Sequence, residues 1–397
     1  MPELGEVSHQ VSLLRTHLLS KIIKKVDAPP DNLLYVAPLT NSIFVDTLIN
    51  AKVTDIGRQG KYFWFELNNS KTILMHLGMT GWIYVRNALT HYAPMEQGGD
   101  KKLKEWHKEL EEQGKSAEDS KFVVTDWIPK YTKFSFETDD GQEFAFSDPR
   151  RLGRVRLFDC SSEGVHKFDP INKLGTDFSQ LSNSESESLR SIIVPQLLKR
   201  KAPLKSVLLD QKVFSGIGNW MADEILFQSH MHPEEKASSL EIDEMNTLYD
   251  NIVLVCKTAS ELEGNTALFP KSWLMLHRWG KSRKGTQTIA DGSAIDFVTV
   301  GGRTSCYVPD IQKLKSLNKT KSDPSTPDNV KTKELESEEG ETVKKEEDRN
   351  NEAKSGTSKT KKARKSTKMT KDEDVTTSRR IKPEIKELLD SKKFKPS

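Results

Sequence analysis

Phe214-Ser-Gly-Ile-Gly-Asn-Trp-Met-Ala-Asp-Glu224 decides how the chain is read. Two glycines precede Asn219, which can cap the helix that follows. Glycine lets another group approach the backbone closely, and a helix N-terminus presents unpaired N–H groups suited to a phosphate. The stretch lies between two short helical segments, near Leu204–Gln211 and Asn219–Ser229, the arrangement of helical clamps on a DNA backbone. Around it the apolar period stays helical. Further segments fall near Ser184–Leu198 and Ile242–Glu261, the second with a start signal in Ser239-Leu-Glu-Ile-Asp-Glu244.

Towards the N-terminus the signal changes. Val7, Val11, Leu14 and Leu18 mark one face of a helix. Lys61-Tyr-Phe-Trp-Phe-Glu-Leu67 and Lys71-Thr-Ile-Leu-Met-His-Leu77 follow, rich in β-formers and joined by the turn Asn68-Asn-Ser70. Trp82–Val85, Lys133–Phe136, Glu143–Phe146 and Val155–Phe158 continue the series, with a hairpin turn at Asp139-Asp-Gly141. The pattern predicts a helix plus β-sandwich over residues 1–160. A charge-rich insert near 95–125 interrupts it, with an extra helix expected around Lys101–Lys121. A linker over 161–180 leads to the helical region, 181–276. Strand signals at Thr286–Ile289, Ala294–Thr299 and Thr304–Val308, with turns at Asp291-Gly292 and Gly301-Gly302, predict a small hairpin module over 277–314. The fold class is α+β, in several domains.

The 397 residues carry 61 Lys+Arg and 58 Asp+Glu, a net charge of +3 that hides two unlike parts. From Lys315 onward, 83 residues hold 23 basic, 17 acidic and 13 apolar residues, with Phe394 the only aromatic. Ordering each residue costs about 1–2 kcal/mol, with little apolar burial to offset it, so residues 315–397 are expected to be a disordered tail. The tail carries +6; the remainder, with 61 less 23 basic and 58 less 17 acidic residues, carries −3. Lys359-Thr-Lys-Lys-Ala-Arg-Lys365 reads as a nuclear address, a nucleic-acid patch or plain solvated charge. Cys160, Cys256 and Cys306 are too few for a disulfide framework or a four-cysteine zinc site. No apolar run approaches a membrane span, and Met1–Ser20 lacks a signal-peptide core, so a soluble intracellular chain is expected.

The chain opens Met1-Pro2-Glu3-Leu4-Gly5-Glu6-Val7. Removal of Met1 would leave Pro2 with a free secondary amine, partly unprotonated at neutral pH. Attack on an aldehyde-like carbon would give an iminium with no N–H to lose, a persistent electron sink. A carboxylate next to it could move protons. Pro2 also suits the first turn of a helix with no chemistry at all. A third group comprises Gly57-Arg-Gln-Gly-Lys61, His76-Leu-Gly-Met-Thr-Gly81 and Asp148-Pro-Arg-Arg-Leu-Gly153. Singly, Lys61 reads as a solvated edge lysine, Met79 as core and Arg150 as a surface ion-pair partner. Jointly, Met79, Arg150 and Leu152 are what fills the space of an extruded nucleotide: an apolar wedge, with a guanidinium facing the orphaned base.

Together, and in this order, these motifs resemble the formamidopyrimidine-DNA glycosylase and endonuclease VIII superfamily over Met1–Leu314, nearest its zinc-less plant and fungal branch. The resemblance implies a β-sandwich domain, a helix–two-turn–helix domain and a C-terminal β-hairpin finger, with damaged double-stranded DNA crossing the cleft between the lobes. It implies Pro2 as the nucleophile at C1′, Glu3 as the acid/base group and Glu6 as support for the helix and the site's electrostatics. It further implies Lys61 near the lesion phosphate and His76 as a phosphate ligand. Asn219 and Arg303 would pinch the phosphates around the flipped nucleotide, with Met79 and Arg150 filling the void and Leu152 wedging beside the estranged base.

Three features depart from the superfamily's pattern. Gly5 replaces a proline, which predicts a looser helix start. Leu152 replaces a phenylalanine and predicts weaker stacking on the estranged base. Thr288, Asp291, Val308 and Ile311 stand where four cysteines bind zinc, so the finger needs no metal and must be held by packing, with Ile295, Phe297, Tyr307 and Val308 the candidates. The implied activity is that of a bifunctional DNA glycosylase and abasic-site lyase without cofactor. Its implied substrates are formamidopyrimidines, hydantoins and abasic sites, with weaker action on 8-oxoguanine. The alternative is a non-catalytic DNA-damage binder on the same fold. Pro2 and Glu3 have no purpose in a pure binder, which favours the enzyme. A monomer is expected, located in the nucleus and not at a membrane, with a tail that contacts DNA or import and repair factors.

Overall fold

The computed structural model describes residues 2–92, 122–123, 127–278 and 287–315; the expected insert helix and the tail beyond Lys315 lie outside them. Helix α1 (Leu4–His17) begins the fold, and its buried stripe is divided. Leu4 belongs to the core of the helical lobe, whereas Val7, Val11 and Leu14 belong to that of the sandwich. The first turn of α1 therefore lies at the junction of the two lobes.

The chain continues through β1 (Ile23–Asp27), α2 (Asn41–Leu48), β2 (Val53–Gln59), β3 (Tyr62–Leu67) and β4 (Lys71–His76). It then forms β5 (Trp82–Val85), the short pair β6 (Leu89–Thr90) and β7 (Phe122–Val123), and finally β8 (Thr132–Thr138), β9 (Glu143–Ser147) and β10 (Arg154–Phe158). Two antiparallel four-stranded sheets result, ordered β1-β8-β9-β5 and β10-β4-β3-β2. Their shared core is rich in phenylalanine: Phe44, Phe63, Phe65, Phe134, Phe144 and Phe146 are fully buried. Sequence periodicity did not mark β1 and β2. Both are edge strands with few buried positions, so their pairing depends on one neighbour instead of an apolar stripe.

The segment read as a linker is packed against the sandwich, with Val165 and Ile171 buried beside Trp64 and Leu74. Helices α3 (Asn183–Leu197), α4 (Leu204–Leu208), α5 (Asn219–Gln228) and α6 (Ile242–Glu261) follow. Trp220, Met221, Tyr249, Ile252 and Trp273 are among the residues that fill their core.

The last element is the hairpin β11 (Asp296–Val300) and β12 (Arg303–Tyr307), closed by Gly301-Gly302 with φ of +57° and +73°. Two successive positive φ values in a two-residue loop are the twist-matched hairpin turn that glycine favours. The finger is held by an apolar cluster in which Ile289, Ile295, Cys306 and Val308 pack on Phe227 and Leu274, with Phe297 and Ile311 at its edge. Tyr307 lies outside that cluster; its ring stands edge-on to His232 at 4.7 Å. Buried Gln312 adds a polar strut: its Oε1 accepts from Val308 N at 2.8 Å and its Nε2 donates to the Met231 carbonyl at 2.8 Å. Val308 and Ile311, two of the four residues expected at metal-ligand positions, thus serve the apolar cluster.

Candidate active site

Pro2 is buried, and Glu3 has extended backbone just before α1. The Glu3 N–H donates to Glu6 Oε2 at 2.9 Å, which fixes the start of the helix. The Glu3 carboxylate crosses to the helical lobe, where it accepts from Trp220 N at 3.0 Å and Met221 N at 3.2 Å. These are first-turn donors of α5, so Glu3 supplies the anion that a helix N-terminus favours. This corrects the expected capping role of Asn219. Gly218 is the N-cap residue, Asn219 is the first helical residue, and the cap comes from 216 residues earlier in the sequence, counting from Asn219 to Glu3. Gly218 is required for a steric reason: a Cβ there would fall on the Glu3 carboxylate. Of the two glycines read as making room for a phosphate, Gly218 makes room for the protein's own carboxylate, whereas Gly216, at φ +98°, lies against Leu4 and Gly60.

Burial, then the neighbouring Glu3 carboxylate, raise the Glu6 pKa to about 7. Lys61 begins the turn into β3 and is not a solvated edge residue, since its Nζ donates to the Ile217 carbonyl at 2.8 Å. Burial lowers its pKa; Glu3 opposes that shift and Arg303 adds to it. Lys61 therefore feels both the N-terminal carboxylates and the finger arginine. Arg303 itself is exposed at the tip of the hairpin.

His76, at the end of β4, stacks at a tilt beside Tyr62 with centroids 4.7 Å apart. Burial, with the charges of Lys61, Arg156 and Arg154, lowers its pKa to about 4. The ring is neutral near pH 7. Its Nδ1 accepts from Gly78 N at 3.0 Å, so the proton sits on Nε2. His76 can offer a phosphate a neutral N–H, not a positive charge.

Asn219 Nδ2 donates to the Thr304 carbonyl of the finger at 2.9 Å, and its buried Oδ1 accepts no hydrogen bond among the described residues. The amide is thus aligned by the hairpin that carries Arg303. Met79 and Leu152 are exposed, as is Arg150. One buried carboxylate joins their two loops: Asp148 accepts from Thr80 Oγ1 at 2.7 Å, Arg150 N at 3.2 Å and Gly153 N at 2.7 Å. Arg151, also exposed, is tied to Asp31 by bonds of 2.9 and 3.1 Å.

Gly5 also differs from its expected effect. It is buried, and a Cβ would lie 2.8 Å from the Ala259 carbonyl oxygen and 3.0 Å from Gly264 Cα. Its lack of a side chain lets α1 approach the end of α6, so the helix start is tightly packed.

Two ionic clusters were not legible in the sequence. Arg58 pairs with Asp177 at 2.6 Å, both side chains buried, and Asp177 also accepts from Gly60 N at 2.8 Å. Asp223 is held at 2.5 Å by Lys205 and at 2.7 Å by Arg278, at the root of the finger. Lys205 also donates to the Asn219 carbonyl at 2.7 Å. Asp223 lies within the decisive stretch, but nothing local reveals partners 18 and 55 residues away.

Residues 1–155 match the formamidopyrimidine-DNA glycosylase N-terminal domain, and residues 182–270 match the formamidopyrimidine-DNA glycosylase H2TH domain. The chain is 34% identical to formamidopyrimidine-DNA glycosylase of Arabidopsis thaliana over 315 residues, covering 79% of this chain and 71% of that one. It is 28% identical to the protein of the same name from Ligilactobacillus salivarius over 332 residues, covering 80% and 100%. Lactococcus lactis Fpg, in complex with DNA containing an abasic site, shares the fold with a TM-score of 0.59 at 20% identity, covering 78% of this chain and 99% of that one. The chain belongs to the formamidopyrimidine-DNA glycosylase family.

Proposed function

We propose that the chain is a bifunctional DNA glycosylase and abasic-site lyase of base excision repair that acts on oxidised purines in double-stranded DNA, and that it belongs to the zinc-less branch of its superfamily. The observation that carries this reading is the docking of the Glu3 carboxylate on the α5 N-terminus, one residue from Pro2 and coupled to Lys61.

With Met1 removed, the Pro2 nitrogen attacks C1′; the bond to the base breaks, and the base leaves with a proton. The Glu3 carboxylate takes the proton that the Pro2 nitrogen loses and passes it to the ring oxygen as the sugar opens, water supplies the proton on the departing base, and a Pro2–C1′ iminium results. Loss of a C2′ proton expels the 3′ phosphate. A second elimination expels the 5′ phosphate and leaves a one-nucleotide gap. Glu6 holds the Glu3 main chain in place throughout. In this scheme Lys61, Arg303, the Asn219 amide and the neutral His76 Nε2–H bind the phosphates of the extruded nucleotide. Met79, Leu152 and Arg150 occupy the vacated stack, and a damaged base is the cheaper one to extrude because it pairs and stacks weakly. Hydantoins fit the same scheme. The Lys359–Lys365 cluster supports a nuclear location, checked by the distribution of a fluorescent fusion with and without it.

Borohydride trapping on a duplex containing a formamidopyrimidine tests the mechanism. Wild type lacking Met1 should form a covalent adduct, and Pro2→Gly should lose it. Tight binding of damaged DNA with no adduct from wild type would favour the non-catalytic binder.

A further inference from the structure

His9 on α1, His91 just after β6 and Glu263 just beyond α6 converge on one point. Among the described residues they are the one set of three His, Cys, Asp or Glu side chains whose ligating atoms all lie within 4.8 Å of one another. His9 Nδ1 stands 3.0 Å from Glu263 Oε2. Two donors bound to one tetrahedral zinc at about 2.0–2.1 Å lie roughly 3.3 Å apart, so small movements would admit the ion. The two imidazole centroids are 3.8 Å apart.

The outer contacts suit two metal-binding imidazoles. His91 Nε2 lies 2.9 Å from the Glu263 main-chain carbonyl. A carbonyl only accepts, so Nε2 carries the proton and the neutral ring keeps its lone pair on Nδ1. His9 Nε2 lies 2.8 Å from Thr90 Oγ1, which can accept its proton while Nδ1 faces a cation. A second partner on the far nitrogen is what orients histidine ligands. The backbone supports the same contact. Glu263 has a φ of +53°, a region non-glycine residues seldom adopt, and Gly5 admits the close approach of α1 to this loop.

We propose that His9, His91 and Glu263 form a binding site for a divalent transition-metal cation of the zinc class, joining α1 to the end of α6. Two imidazoles and one carboxylate match its donor preference, with water in the fourth position. The site lies away from the chemistry, since His9 is seven residues past Pro2, about 10 Å along the chain at helical rise. Its role is to hold the helix that carries Pro2 and Glu3 against the helical lobe.

The full, untagged chain should bind one cobalt ion with a visible absorption band, which zinc should displace. Zinc at saturation should raise Tm by about 3 °C or more. His91→Gln and Glu263→Gln should abolish both effects while keeping the wild-type far-ultraviolet spectrum. Histidine ring NMR of wild type, read without any variant, should show the His9 and His91 nitrogens shifting together on zinc addition. No saturable cobalt band at micromolar concentrations, unchanged binding in both variants, or unmoved His9 and His91 resonances would overturn the proposal.

Discussion

Gly218→Ala isolates the contact on which the active-site reading depends. The Gly218 backbone, at φ −121° and ψ −159°, is open to alanine, so strain does not obscure the result. Only the added methyl matters, and it would overlap the Glu3 carboxylate. Glu3 must then leave two main-chain donors, Trp220 N and Met221 N. Hydrogen bonds to a charged group contribute about 1.5–3 kcal/mol each, and partial rehydration of the displaced carboxylate should reduce the net destabilisation to about 2–4 kcal/mol. Loss of a placed acid/base group should slow base excision by about 10²–10⁴-fold. Single-turnover excision, abasic-site cleavage and urea unfolding should be measured in parallel. The same substitution in a Glu3→Ala background should cost under about 1 kcal/mol, since the collision is gone and only coupled sites depart from additivity. Near-wild-type excision by Gly218→Ala, or equal destabilisation in both backgrounds, would refute the assignment of Gly218 as the residue that seats Glu3.

Asp223→Asn should destabilise the chain by about 3–5 kcal/mol in urea unfolding, because fully buried Lys205 and nearly buried Arg278 lose their shared carboxylate; a loss below about 1 kcal/mol would contradict this. The raised Glu6 pKa sets the sign of a pH effect. Its bound proton contributes stability that is complete below the unfolded value, near 4.5, and is lost as pH rises through about 7. Glu6→Gln should therefore flatten the fall in Tm across that window, and Glu224, raised to about 7 by burial, should keep the remainder. An unchanged slope would show that Glu6 does not titrate there. Truncation after Lys315, which itself pairs with Glu244 at 2.5 Å, should weaken DNA binding at low salt but not at high salt and should leave excision intact; equal affinity at low salt would deny the tail any binding role.

By itself the sequence determined the classes of element and singled out Glu3, Lys61 and the Gly218-Asn219 turn, which the fold brings together. Amphipathic spacing marks α1, β-rich runs mark β3, β4 and β5, and Gly301-Gly302 marks the finger hairpin, because each signal is local to a turn, a face or a strand. Where burial fell on one edge residue, as in β1, no local signal existed. Tertiary structure alone decided what Gly218 is for, since the carboxylate it admits comes from the other end of the folded body. It also decided that His76 is neutral, that Arg151 pairs with Asp31, and that Gly5 tightens the start of α1. Each of these depends on burial and on charges brought from distant segments, and neither composition nor period along the chain records which segments will meet.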